Sequence, residues 1–291
     1  MKSQKSFSAE QATLHLVATP IGNLEDITFR AVRLLKEADV IAAEDTRNTK
    51  KLCNHFAIQT PLISYHEHNQ EAGGEKILAY LREGKTVALV SDAGMPCISD
   101  PGTAIAAQAA AAGYPVVPVP GANAALSALI ASGLSSDAFL FYGFLPRHKK
   151  DRRQALEKLS QREETVLFYE APHRLKDTLQ ALKESCGSDR RIVLARELTK
   201  KFEEFLRGTI GEAAAWAAEN EIRGEFCIVL EGGSGTEAAA DESNWWKLLT
   251  VEEHVEEIIR QRGLLPKDAV KEAAKERGVP KREVYQIYHQ Q

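Results

Sequence analysis

The 291-residue sequence has few cysteines, and Cys53, Cys97, Cys186 and Cys227 form no CxxC pair. Scattered in this way, they read as small buried apolar residues of a reducing compartment, neither disulfide partners nor zinc ligands. No metal is expected. There is no excess of positive charge either: 37 Lys and Arg against 41 Asp and Glu give a formal net charge of -4. Any nucleic-acid surface must therefore be local. The opening MKSQKSFSAEQATLH lacks the apolar core of a signal peptide. The apolar stretch AIAAQAAAAGYPVVPVPG is broken by Gln108, Gly113 and three prolines, so it does not span a membrane. The phosphate-cradling patterns GxGxxG and GxxxxGK[ST] are missing, which argues against a pyrophosphate or triphosphate ligand. No internal repeat stands out. What these absences leave is a globular protein expected in the cytoplasm, with 44% hydrophobic and 27% charged residues.

What is present is alternation. The β-rich runs LHLVA, DVIAA, PLISY, TVALV and YPVVPV are separated by helical patterns such as LEDITFRAVRLLKEA and NQEAGGEKILAYLREG. This predicts an α/β domain, residues 1–135, built on a mostly parallel sheet with both faces covered. A second series follows: AFLFYGF, RHKKDRRQALEKL, TVLFYEA, RLKDTLQALKES, RRIVLARE, KFEEFLRG, GEAAAWAAEN and EFCIVLEGG. Strands outnumber helices here, so residues 136–233 are expected to form a second α/β domain on a mixed sheet. GGSGTEAAADES has the composition of a linker. Residues 245–291 then show three helical stretches, the last two opening at prolines, and predict a small helical tail.

Ligands of open parallel sheets bind outside the carboxyl ends of the strands. Four turn-rich loops follow strands here: ATPIGN, AEDTR, VSDAGMPCISDPG and VPGANA. Gly22 and Gly94 would let backbone approach a ligand, Pro20, Pro96 and Pro101 would stiffen the loops, and Asp92 and Asp100 suit ribose hydroxyls or an ammonium group. Caps and corners use the same residues, yet four such loops on one rim favour a binding site. A small cofactor with a ribose and no phosphates fits them best.

Taken in order, VATPIGNLEDITFRAVRLLKEADVIAAEDTRNT, SDAGMPCISDPG, PGANAALSALIASGL, FYGFLP, FYEAPHRL, ARELTK and RGEFCIVLEG resemble the bacterial small-subunit ribosomal RNA (cytidine-2′-O-)methyltransferases of the tetrapyrrole methylase superfamily. The likeness runs from about Leu14 into the C-terminal helices. It implies two α/β domains of the tetrapyrrole methylase type, a homodimer, and S-adenosylmethionine (SAM) in the cleft between the domains. It also implies methyl transfer to a cytidine ribose in the decoding centre of 16S rRNA, presented naked or within an assembled small subunit. Carried onto this chain, the cofactor loops give Pro20, Gly22, Ser91, Asp92, Ala93, Gly94, Ser99, Asp100, Gly121, Tyr169 and Glu225. Two departures stand out: Met95 replaces the usual Thr, and Ala122-Asn123 replaces the usual Pro followed by Ser or Cys.

Methyl transfer from a sulfonium rests on alignment and on management of the hydroxyl proton. Asp45, Arg47, Glu170, His173, Glu197 and Lys200 are the residues of the right chemistry, and the expected order for proton handling or acceptor positioning is Glu170, Lys200, Glu197. Glu170 closes the strand TVLFY, although it could instead pair with Arg174 one helical turn on. For RNA phosphates the expected groups are Arg47, Arg174 and Arg196, the run Arg147, Lys149, Lys150, Arg152 and Arg153, and Lys281 and Arg282 in the tail. From Ile258 onward eight Lys and Arg face four acids. Tyr285 and Tyr288 are placed to stack on bases or to fill a core. Two other readings compete: another methyltransferase of the superfamily (tetrapyrrole C-methylation or diphthine synthesis), and a non-catalytic RNA-binding assembly factor.

Overall fold

The apolar runs of the first half each become a short strand: β1 (Leu14–Val17), β2 (Val40–Ala43), β3 (Leu62–Ser64), β4 (Val87–Val90) and β5 (Val116–Val119). In this computed structural model, which describes residues 3–5, 11–233, 246 and 249–289, β2 and β4 are buried at every position. Such strands lie between two helical layers. The sheet order is β3-β2-β4-β1-β5, and every pairing is parallel. The helices between them are α1 (Phe29–Glu37), α2 (Thr46–His55), α3 (Gln70–Arg82) and α4 (Thr103–Ala111). One face of the sheet buries Leu35, Ile41 and Cys53; the other buries Tyr65, Ile77, Leu89 and Ile105.

The strand order decides where a ligand can sit. β1 leads to β2, beyond its neighbour β4, while β4 leads to β5, beyond its neighbour β1. The two connections leave in opposite directions, so a crevice opens at the carboxyl ends of β1 and β4. Backbone bonds of 2.9 and 3.0 Å between Thr19 and Gly94 tie the two loops there. Gly94 has φ of +80°, a conformation that favours glycine.

The second series forms β6 (Phe139–Phe144), β7 (Thr165–Glu170), β8 (Arg191–Arg196), β9 (Glu204–Thr209) and β10 (Phe226–Leu230). Their order is β6-β7-β10-β8-β9. β6 and β7 run parallel and the other pairs antiparallel, the mixed sheet the sequence predicts. The run KFEEFLRG supplies the edge strand β9. Helices α6 (Lys149–Leu159), α7 (Leu175–Cys186) and α8 (Ile210–Glu219) pack on one face through Leu156, Leu179 and Ile210. The opposite face receives α5 (Ala124–Ser132), whose Ala125, Ala128 and Leu129 pack on Leu167, Val193 and Val229. Asn123, one of the two departures, caps α5 by accepting the Leu126 N–H at 2.9 Å. Arg207 donates to the carbonyl of Ala131 at 2.6 Å and fastens the other end. Helix α5 follows the last strand of the first sheet and lies on the second, so it joins the two halves.

Both sheets belong to one unit, Met1–Gly233, and the tail belongs to another, Ser234–Gln291. Residues 234–243 of the expected linker lie outside the described residues. The tail consists of α9 (Val251–Arg262), α10 (Pro266–Arg277) and α11 (Lys281–Tyr288). A Thr250–Glu253 capping box starts α9, and Gly263 and Gly278 end α9 and α10 in the left-handed conformation. Fully buried His254 receives a bond from Arg277 at 3.0 Å, so its other nitrogen donates to Glu276 at 2.9 Å. Among the described residues no helix is long and apolar enough to cross a membrane.

Candidate active site

A cavity of about 310 Å³ opens where the β1 and β4 loops meet the second sheet. Gly94, Ser99 and Asp100 form one wall; Tyr169, Ala195 and Phe226 form the other. This is the size and mixed apolar-polar lining of a small-molecule site. Its two bordering loops are strained in the same way. Cys97 and Ser99 in one, and Glu197 and Thr199 in the other, have φ between +50° and +71°. Non-glycine residues reach that region at a cost, and they persist where the surroundings hold them.

Charge is concentrated at the mouth. Lys200 Nζ donates to Glu197 Oε1 at 3.0 Å and to Glu225 Oε2 at 2.9 Å. Glu197 Oε1 also accepts the Glu225 N–H at 2.9 Å. That backbone bond, opposed by burial and aided by Lys200, holds the Glu197 carboxyl below its usual range. Burial acts to lower the Lys200 pKa, but the bonds to Glu225 and Glu197 outweigh it and the net shift is upward. Lys200 is therefore a held cation, suited to stabilising negative charge and not to taking a proton. Gly22 makes room for it: a Cβ there would sit 2.5 Å from Lys200 Cγ. Across the cavity Asp100 is pushed up to about 6, by burial first and then by the nearby Glu44 and Asp92 charges, against a bond from Ser91. Burial likewise pushes the Tyr169 phenol up to about 12.

Against known proteins, residues 13–214 match the family model described as Tetrapyrrole (Corrin/Porphyrin) Methylases. The chain belongs to this family. It is 57% identical over 291 residues, 99% of both chains, to a Bacillus subtilis protein named "Ribosomal RNA small subunit methyltransferase I". A protein of that name from Halalkalibacterium halodurans is 56% identical over 293 residues, spanning both chains in full. Among solved structures, a Thermus thermophilus uroporphyrin-III C-methyltransferase, described as complexed with S-adenyl homocysteine, shares the fold at TM-score 0.55 and 20% identity, covering 76% of this chain and 97% of its own.

In this member of the family the residues singled out in the sequence divide between two cavities. Ala93, Gly94, Ser99, Asp100, Tyr169 and Glu225 line the one just described, together with Glu170, Glu197 and Lys200. Pro20, Gly22, Ser91 and Asp92 line a second, neighbouring cavity. Gly121 lines neither, because a Cβ there would meet the Ala18 side chain at 2.7 Å and its place is in strand-end packing. Ala195, Phe226 and Cys227 are wall residues that sequence reasoning passed over, since on a strand they look like any other core position.

The other expected residues are placed as follows. Glu170 is 2% exposed, and its carboxylate accepts the Thr178 hydroxyl at 2.6 Å and the Ala171 N–H at 2.9 Å, with Arg174 at 3.3 Å. Both oxygens are thus taken up in fixing the start of α7. Arg174 also donates to the Leu145 carbonyl at 2.7 Å, so it ties the end of β7 to the end of β6. Arg152 is buried, because positions 152, 156 and 159 share the inward face of α6. Arg196 is engaged with the Arg223 carbonyl and Glu204. Arg47 is held by Asp45 at 2.7 Å but stays exposed. Arg147, Lys149, Lys150 and Arg153 are exposed, as is His173, and Arg153 pairs with Glu157. In the tail Lys281 and Arg282 are exposed, Tyr285 is half exposed, and Tyr288 packs against the small core.

Proposed function

We propose that the chain methylates small-subunit ribosomal RNA from SAM, and that its target is the ribose 2′-hydroxyl of a cytidine in the decoding centre of 16S rRNA. The relatives' printed name, over the full length of this chain, favours ribosomal RNA over a tetrapyrrole as acceptor. The cavity residues fit the cofactor: aromatic Phe144, Tyr169 and Phe226 offer faces to an adenine, and Asp100 offers an anion to a cation. SAM supplies a methyl group already activated on a sulfonium, so the protein's part is orientation, exclusion of water and care of one proton.

One observation carries the catalytic reading: a lysine held as a cation by two carboxylates at the mouth of the cavity. Lys200 is placed to stabilise the negative charge that develops on an attacking hydroxyl oxygen, and Glu197 and Glu225 hold it there. Glu170 supports the wall from behind. Residues 1–135 and 136–233 are read as the two halves of the cleft, and residues 245–291 as an RNA-positioning module. The protein would act in the cytoplasm as a homodimer, for which exposed Ile130 and Phe202 provide apolar surface. The test is methyl acceptance: labelled SAM should mark isolated small ribosomal subunits or their RNA, and uroporphyrinogen should remain unlabelled. Label on the tetrapyrrole alone would overturn the reading.

A further inference from the structure

The second cavity, of about 330 Å³, shares its walls with the first. Pro20 and Gly22 line the second, and Ile21 between them lines the first. Likewise Ser91 and Asp92 face one side, and Ala93 and Gly94 the other. Residues of both loops line both cavities, so the two loops lie between them. The far wall of the second cavity is helix α2. Asn48, Lys51, Leu52 and His55 follow the spacing that puts them on one helix face, and all four line the cavity.

Thr49 makes the pocket more than a surface dent. It is 5% exposed and lines the cavity, yet its hydroxyl has no hydrogen-bond partner among the described residues. In a helix a threonine hydroxyl readily bonds the carbonyl one turn back. A hydroxyl without such a bond, in a cavity wall, is free to bond a ligand. Asp92 presents its carboxylate beside it, accepting the Asn48 amide at 3.4 Å and the Asp45 N–H at 3.1 Å. Leu24 and Leu52 provide apolar surface. At the outer end Lys51 and His55 are exposed and form no ion pair among the described residues.

We propose that this cavity is a nucleotide subsite, holding a nucleoside monophosphate unit of the RNA chain next to the residue that is methylated. The inference rests on the RNA reading above. Lys51 and His55 receive the phosphate, a role for which a lysine ammonium serves as a point charge. Asn48, Thr49 and Asp92 hydrogen-bond the base edge or the ribose, and the carboxylate suits an exocyclic amine as donor. A base lies against Leu24 and Leu52. An RNA strand with one nucleotide in this cavity presents its neighbour at the mouth of the first, beside Lys200. Asp92, which the sequence assigned to the cofactor, then holds substrate instead.

The test uses the whole enzyme with isolated small ribosomal subunits as acceptor. Thr49→Val is nearly isosteric and Lys51→Glu reverses an exposed charge, so both variants should fold, which the thermal midpoint checks. Each should raise KM for the subunit about fivefold to tenfold, the usual effect of removing one hydrogen bond or charge from a binding site, with kcat and calorimetric SAM affinity near wild type. KM unchanged in both variants would overturn the subsite while leaving rRNA methylation standing. Weakened SAM binding in Thr49→Val would overturn it by giving the cavity to the cofactor. Failure of the wild-type enzyme to methylate any small-subunit RNA would remove both readings together.

Discussion

Lys200 Nζ lies 3.0 Å from Glu197 Oε1, and the Glu197 backbone sits at φ +50°. A strained carboxylate holding a lysine at the mouth of a cavity points to an electrostatic role. Lys200→Met should therefore lower the single-turnover rate at saturating substrates by about 10²-fold, the scale of losing one charge stabiliser, and Lys200→Arg should recover part of it. Gly22→Ala should give a smaller loss, because its Cβ would press on the lysine stem. A rate within about threefold of wild type in Lys200→Met would reduce the ion pairs to structural ones.

Glu170 predicts the opposite pattern. Its carboxylate is buried and bonded to Thr178 and Arg174. Glu170→Gln removes the charge from that network and should cost about 1–3 kcal/mol of stability, because Arg174 and Thr178 lose a partner in a buried site. The thermal midpoint should fall while the single-turnover rate of the folded protein stays close to wild type. A large rate loss at unchanged midpoint would restore Glu170 to the chemistry.

Asp100 yields a pH dependence with a definite sign. Its folded pKa of about 6 lies above the usual 3.8, so the folded state favours the neutral acid. The stability it lends is complete below about pH 4 and is lost as pH rises through about 6. Asp100→Asn should thus stabilise the ligand-free protein at pH 8, by about 1 kcal/mol once solvent screening of a half-exposed group is allowed for, and the gain should vanish near pH 4. SAM affinity should run the other way, falling in wild type as pH drops through 6 and falling in Asp100→Asn at every pH. Calorimetry at pH 5, 6 and 8 reads both, and a pH-independent affinity would remove Asp100 from the cofactor site.

The tail carries its own core around Val255, Ile258, Val270 and Val284, and the first unit buries its own clusters. Deleting residues 246–291 should leave SAM binding intact and weaken RNA binding, with a log-log salt slope shallower by about 1 for each phosphate no longer gripped. Arg277 is spent on His254 and carbonyl oxygens, and exposed Arg260 and Arg262 pair with Glu257 and Glu276, so Lys267, Lys271, Lys275, Lys281 and Arg282 are the exposed cations without an ion pair among the described residues. An unchanged slope would show that they face away from RNA.

Strands, layers and the mixed second sheet were legible because apolar runs such as VALV and FCIVL mark buried strands without any tertiary information. The rim loops were legible too, since four loops rich in glycine, proline and aspartate all follow strands, more than caps and corners alone require. The division of those loops into two cavities was not, because it depends on how PIGN and SDAG lie against α2 and the second sheet. Arg152 and Arg174 show the same limit: a basic run reads as a solvated surface until the helix phase or a neighbouring carbonyl is known. Glu170 was ranked first as the end of a strand, and its pairing with Arg174, one turn away, was visible in the spacing as the competing outcome.

The most direct measurement is the chemical identity of the product. Small-subunit RNA methylated by the enzyme from labelled SAM is digested to nucleosides and separated against standards. Label in 2′-O-methylcytidine, appearing about 10²-fold more slowly with the Lys200→Met enzyme, is the expected result. Label on a base atom, or on the ribose of another nucleoside, would contradict the cytidine 2′-hydroxyl as the acceptor.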